Sequence, residues 1–170
     1  FNILAPQIAG KVFIDTYAGS GSVGIEALSR GAQHVILFER NPEAVRVIRE
    51  NLESLGINGK ATLLRGNALT LLTKHDADIL FIDPPYANVR DYQAALELAG
   101  EGTYPLVVVQ HESRLHLAET FGTLHRFRTL RQGDNNLSFY NRQRGDHGPE
   151  NGIPNEGQST AVNNEAEEDG

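Results

Sequence analysis

The sequence predicts an α/β fold, a mainly parallel sheet covered by helices on both faces and ending in an antiparallel hairpin. Three observations carry this expectation. Short apolar runs recur along the chain, segments of helical periodicity separate them, and after the fifth run the rhythm changes to two strand-like stretches around a tight turn. Apolar runs that do not alternate with polar residues suit strands covered on both sides, as in a parallel sheet.

The runs are Val12-Phe13-Ile14, Val35-Ile36-Leu37-Phe38, Ala61-Thr62-Leu63-Leu64, Ile79-Leu80-Phe81-Ile82 and Leu106-Val107-Val108-Val109. Between the second and third, Asn41 is placed to cap a helix and Pro42 fits its first turn. Val45, Ile48, Leu52 and Leu55 form one apolar stripe, and Gly56 stops it. Asp91 to Gly100 repeats the pattern, with Tyr92, Ala95, Leu96 and Ala99 on one face. Thr123 to Arg131 and Asn136 to Arg142 read as hairpin strands around Gln132-Gly133-Asp134-Asn135.

A chain of 170 residues with 39% hydrophobic content suggests one ordinary domain. No apolar run reaches the roughly 18 residues of a membrane-spanning helix, so no membrane partner is expected. With no cysteine there is neither a disulfide framework nor a thiolate metal site, which favours a reducing, cytoplasmic setting. His34, His75, His111, His116, His125 and His147 show no close ligand spacing, and no metal is expected. The chain begins at Phe1 and contains no methionine, as a fragment or processed form would. The net charge of −7 is unevenly spread, because seven acids and no Lys or Arg lie from Gly145 onward. Residues 1–144 are neutral and are expected to form the domain. Residues 145–170, rich in Gly, Pro and Asn, hold too little apolar surface to offset the entropy of ordering, and a disordered acidic tail is expected there.

Two motifs carry chemistry. DTYAGSGSVG, Asp15 to Gly24, lies between the first strand and first helix, and Gly19, Gly21 and Gly24 satisfy G-x-G-x-x-G. Such glycines allow a tight turn, a close backbone approach to a ligand and close packing of helix on strand. Glu39 ends the second strand about 20 residues on, where an acid accepts ribose hydroxyls. An NAD-dependent oxidoreductase fits this loop. Asp15 counts against it: a carboxylate beside the turn repels a pyrophosphate and welcomes an ammonium, as on the methionyl part of S-adenosylmethionine.

The second motif, FIDPPY, ends the fourth strand with Asp83, two prolines and Tyr86. Proline cannot donate to a ladder, so the sheet stops there. Strands one and four are expected to be neighbours, with the ligand crevice beyond their carboxyl ends. A nucleobase amine is a poor nucleophile. The Asp83 side chain and the Pro84 carbonyl can accept its two N–H bonds, and Tyr86 can stack on the base. Catalysis would then be mainly positioning for in-line displacement.

FNIL at the start, FIDTYAGSGSVGIEALSRGA, FERNPEAVRVIRENL, FIDPPY and QGDNNLSFY together resemble the bacterial 16S ribosomal RNA guanine-N2 methyltransferases, over roughly residues 1–142. The resemblance implies a Rossmann-like S-adenosylmethionine methyltransferase sheet of seven strands, the last antiparallel. It implies S-adenosyl-L-methionine as cofactor and a guanine amine of 16S ribosomal RNA, or of a small-subunit assembly particle, as substrate. A monomer is expected. Asp83, Pro84, Pro85 and Tyr86 would be catalytic. Asp15, Gly19 and Gly21 would line the methionyl end of the cofactor, Glu39 would hold its ribose, and Asn67 would meet the adenine amine with Ala68 beside it; Ala18 and Arg40 would be further cofactor-binding residues. DNA adenine-N6 or cytosine-N4 methylation is the nearest alternative, and a non-catalytic remnant is another. Family members usually carry a basic hairpin and helix before FNIL, the motif with which this sequence opens. Arg126, Arg128, Arg131, Arg142 and Arg144, on or beside the terminal hairpin, fit phosphate contacts and solvated edge charges equally well.

Overall fold

In the computed structural model, which describes residues 5–85 and 88–142, each of the five apolar runs forms a strand. The elements are α1 (Ala5–Ile8), β1 (Val12–Asp15), α2 (Ser22–Ser29), β2 (His34–Glu39), α3 (Pro42–Ser54), β3 (Ala61–Arg65) and α4 (Ala68–Leu72). They continue with β4 (Ile79–Ile82), α5 (Val89–Glu101), β5 (Leu106–Glu112), β6 (Thr120–Phe121), β7 (Leu124–Gln132) and β8 (Asn135–Arg142). One sheet holds them in the order β3-β2-β1-β4-β5-β8-β7-β6. Strands β1 to β5 are parallel, and β8 runs antiparallel between β5 and β7. Seven of these are the expected strands. The eighth, β6, is a two-residue addition that pairs with the start of β7.

The chain builds outward from β1 to β3 and then returns to the other side of β1 for β4. That reversal opens a crevice at the carboxyl ends of β1 and β4. Side chains alternate across the strands, so each face buries its own core. Phe13, Val35, Leu37, Phe81, Val108 and Phe139 pack on one side with Ile48 and Leu52 of α3. Ile14, Phe38, Leu80, Ile82, Val107 and Tyr140 pack on the other with Tyr92, Ala95 and Leu96 of α5. Both faces of β4 are therefore covered, which explains its unbroken apolar sequence.

Local details follow from local chemistry. Asn41 caps α3 as expected, its side chain accepting from the Glu43 and Ala44 N–H groups, with Pro42 opening the helix. Leu55 departs from the expected stripe: it falls at the C-cap, past the last turn, and is 57% exposed. Gly24 lets α2 lie close on β2, where a Cβ would come within 2.8 Å of Val35 Cγ1 and collide with Leu37. The β7–β8 turn closes on Gly133 and Asp134, with Gln132 opposite Asn135. Among the described residues no helix is long and apolar enough to cross a membrane. The acidic stretch 145–170, Arg144 and Tyr86 lie outside the described residues.

Candidate active site at the carboxyl ends of β1 and β4

A cavity of about 340 Å³ sits at the crevice. The loop after β1 contributes Thr16, Tyr17 and Gly19, and the end of β2 contributes Glu39 and Arg40. Asn67 and Ala68 come from the start of α4, Asp83, Pro84 and Pro85 from the end of β4, and Asn88 and Asp91 from the start of α5. Eight of the residues expected from sequence thus share one wall. Asp15, Ala18 and Gly21 do not line it; Asp15 and Ala18 are buried beneath it.

The glycine loop is held by bonds that sequence spacing does not reveal. Thr16 donates twice to the Phe81 carbonyl, through its backbone N–H at 3.1 Å and its hydroxyl at 2.8 Å. The Ala18 N–H donates to the Phe38 carbonyl at 3.0 Å, so the loop is anchored to β2 and β4 at once. Glu39 clasps it from the side: Oε2 accepts from the Gly19 N–H and Oε1 from the Asn41 N–H, both at 2.8 Å. Asn51 of α3 donates to the Ser20 carbonyl at 3.0 Å. Gly21, at φ 80°, makes the sharp turn, and its N–H donates to the Ala18 carbonyl at 2.7 Å. The N–H groups of Gly19 and Gly21, which a pyrophosphate would need, are therefore engaged by the protein itself. This geometry disfavours a dinucleotide.

Asp15 ends β1 between Leu37 on β2 and Phe81 on β4, and it is 1% exposed. Burial pushes its carboxyl up to about 7. The Tyr17 and Gly24 N–H groups oppose that rise, while the charges of Asp83 and Glu39 add to it. Its Oδ2 has no hydrogen-bond partner among the described residues, and neither does the buried hydroxyl of Tyr17. Burial, with Asp91 nearby, pushes that phenol up to about 12 against the pull of Arg40. A buried acceptor left without a donor costs about 1–3 kcal/mol. An ammonium delivered by a ligand would remove that cost at Asp15.

Asp83 is half-buried, and burial raises its carboxyl to about 6. Its Oδ2 accepts from Gln110 Nε2 at 3.0 Å. The Pro84 carbonyl, expected to accept an amine N–H, already receives the Tyr92 hydroxyl at 3.2 Å, which leaves it one further lone pair. The Pro85 carbonyl takes the Asn88 N–H at 2.8 Å, so the double proline leads directly into α5. Asn67 serves a purpose the sequence reading overlooks. Its Oδ1 caps α4 by accepting from the Leu69 and Thr70 N–H groups at 2.9 and 3.4 Å. The oxygen assigned to an adenine amine is thus engaged in the helix.

Sequence spacing missed Thr16, Tyr17, Asn88, Asp91 and Gln110. The last carried a weak signal, as the first polar residue after the fifth apolar run. Of the hairpin arginines, Arg126 donates to the Leu117 carbonyl and pairs with Glu119 at 3.6 Å, and Arg142 donates to the Thr123 hydroxyl. Arg131 bonds the Gly133 carbonyl of its own turn, and Arg128 is exposed.

Residues 1–141 match the model of the family described as conserved hypothetical protein 95. The chain belongs to this family. It is 32% identical over 154 residues to "Putative rRNA methyltransferase YlbH" of Bacillus subtilis (strain 168), covering 84% of this chain and 82% of that relative. It is 38% identical over 88 residues to Ribosomal RNA small subunit methyltransferase D of Escherichia coli (strain K12), covering 51% of this chain and 44% of that one. The aligned part thus spans less than half of the second relative. Among solved structures, the fold superposes on "Putative methyltransferase yhhF from Escherichia coli" with a TM-score of 0.73, at 27% identity, covering 85% of this chain and 82% of that one. The conserved hypothetical protein 95 family is the group that the FNIL, glycine-loop and FIDPPY resemblance pointed to.

Proposed function

We propose that this chain is an S-adenosylmethionine-dependent methyltransferase acting on the exocyclic N2 amine of a guanine in 16S ribosomal RNA, in the cytoplasm. The observation that carries this is the proximity of two strand-end carboxylates, Asp83 lining the cavity before the double proline and Asp15 buried beneath it under the glycine loop, close enough for the Asp83 charge to raise the Asp15 carboxyl. The names of the Bacillus subtilis and Escherichia coli relatives support the ribosomal RNA substrate.

When bound, S-adenosylmethionine supplies an electrophilic methyl group on a sulfonium. The protein's own residues do the rest. The unpartnered Asp15 Oδ2 would receive the ammonium, and the remaining lone pairs of Glu39 would receive ribose hydroxyls. Asp83 and the Pro84 carbonyl accept the amine N–H bonds and hold the nitrogen in line with the methyl group. Positioning of this kind supplies much of the rate when the nucleophile is weak. Asp83 is also assigned as the acceptor for the proton the amine sheds. Tyr86 is assigned to stacking on the base.

The test is methyl transfer from labelled S-adenosylmethionine to 16S ribosomal RNA, naked or in a small-subunit particle, that lacks the modification. Asp83→Ala should keep S-adenosylhomocysteine affinity nearly intact and lower transfer by roughly a hundredfold or more. Transfer at the wild-type rate would reduce FIDPPY to a strand terminator. Calorimetry with S-adenosylhomocysteine beside NAD separates the cofactor readings, and heat with NAD alone would overturn this one.

A further inference from the structure

Strands β4 and β5 run parallel, with Phe81 beside Val108 and Ile82 beside Val109. One more step along both strands brings Asp83 alongside Gln110. Alternation puts the two side chains on the face that holds Phe81 and Val108. There the Gln110 amide donates to Asp83 Oδ2 at 3.0 Å. We propose that Gln110 is the positioning residue for Asp83: by holding Oδ2 it fixes the rotation of the carboxylate and reserves Oδ1 for the N–H of the acceptor amine. The assignment rests on the function proposed above, because it gives Oδ1 to that amine.

The chemistry of the pair favours an amide at position 110. A carboxylate with both oxygens free turns about its last bond, so a substrate amine would have to order it on arrival. A neutral amide supplies the ordering donor without adding charge. This matters because the surroundings are already rich in acids. Asp15 comes from β1, Glu39 from the end of β2 and Asp91 from α5, against Arg40 as the cation and with Tyr17 on the loop. A donor on Oδ2 also favours the ionised form of Asp83, the form that accepts an amine N–H with both lone pairs of Oδ1.

Gln110→Met removes the donor and nearly keeps the volume. The expected kcat for methyl transfer falls roughly tenfold or more, as for a lost hydrogen bond to a charged group, while KM for S-adenosylmethionine stays within about twofold. In the same variant the Asp83 carboxyl, followed by carbon NMR, should titrate at higher pH than in wild type, and the acid limb of the kcat profile should move up with it. Gln110→Asn, whose amide ends one carbon short, should behave alike and serves should methionine disturb folding. An unmoved Asp83 titration, or a moved titration with unchanged kcat, overturns the proposal. Wild-type protein that transfers no methyl group to any RNA while the titration still moves would sink the function proposed above, and with it the role of Oδ1, but not the bond itself.

Discussion

Asp15 is a carboxylate placed where stability alone would not place one. Its pKa rises from the ordinary 3.8 to about 7 in the folded chain, so folding favours its neutral form. The associated stability is fully present below pH 3.8 and is lost as pH rises through about 7. Asp15→Asn should therefore be more stable than wild type by about 2–4 kcal/mol at pH 8, and the gap should close as pH falls towards 4. Urea unfolding at the two pH values measures this, and the same variant should bind S-adenosylhomocysteine at least tenfold more weakly. A variant that is no more stable at pH 8 would show that the buried charge is already compensated. Asn67 makes a contrasting case, because its oxygen is spent on the α4 cap. Asn67→Ala should cost about 0.5–2 kcal/mol of stability and weaken cofactor binding with it. Asn67→Asp, which keeps an acceptor for both N–H groups, should restore the cap.

At the scale of elements, strong local signals were readable and weak ones were not. The α3 helix announced itself through Asn41, Pro42 and a stripe of four apolar residues, although the last of these, Leu55, fell outside the helix. The short α4 gave no periodicity to detect, since five residues barely exceed one turn. Strand β6 gave none either, and its place depends on a tertiary contact. Gly100 of α5 lies against the backbone of Phe121 and Gly122, and a Cβ there would fall inside contact distance of the Phe121 carbonyl oxygen. Gly100→Ala should lower stability by about 1–3 kcal/mol through displacement of the β6 turn from α5. It should leave S-adenosylhomocysteine affinity unchanged, because that contact is far from the glycine loop in the sheet order. Loss of affinity in a folded Gly100→Ala protein would mean that the terminal hairpin and the site are coupled.

For the whole molecule, the recurrence of apolar runs and the position of the glycine loop were enough to anticipate a doubly wound sheet, because parallel strands buried on both faces leave few other topologies. The site was legible only in part. Asp15, Glu39 and Asp83 could be picked out because each is an acid at the end of an apolar run. The bonds that set their orientation could not, because Glu39 with Gly19 and Asp83 with Gln110 meet only after the strands have paired. The acidic segment makes a separate prediction from composition. Removing residues 145–170 should leave melting temperature and S-adenosylhomocysteine affinity unchanged. A large fall in melting temperature would show that the segment packs on the domain.

The buried oxygen of Asp15, without a partner among the described residues, also bears on the heat of binding. Because burial raises the Asp15 carboxyl to about 7, part of the free protein carries a proton there near neutral pH. A cationic ligand seated against that oxygen favours the ionised form, so association near neutral pH should release protons to the medium. The calorimetric enthalpy of S-adenosylhomocysteine binding should then differ between phosphate and Tris buffers in proportion to their ionisation enthalpies. The difference should shrink towards zero at pH 9, where Asp15 is already charged, and vanish in Asp15→Asn. Equal heats in both buffers at pH 7 would mean that the ligand's ammonium lies elsewhere.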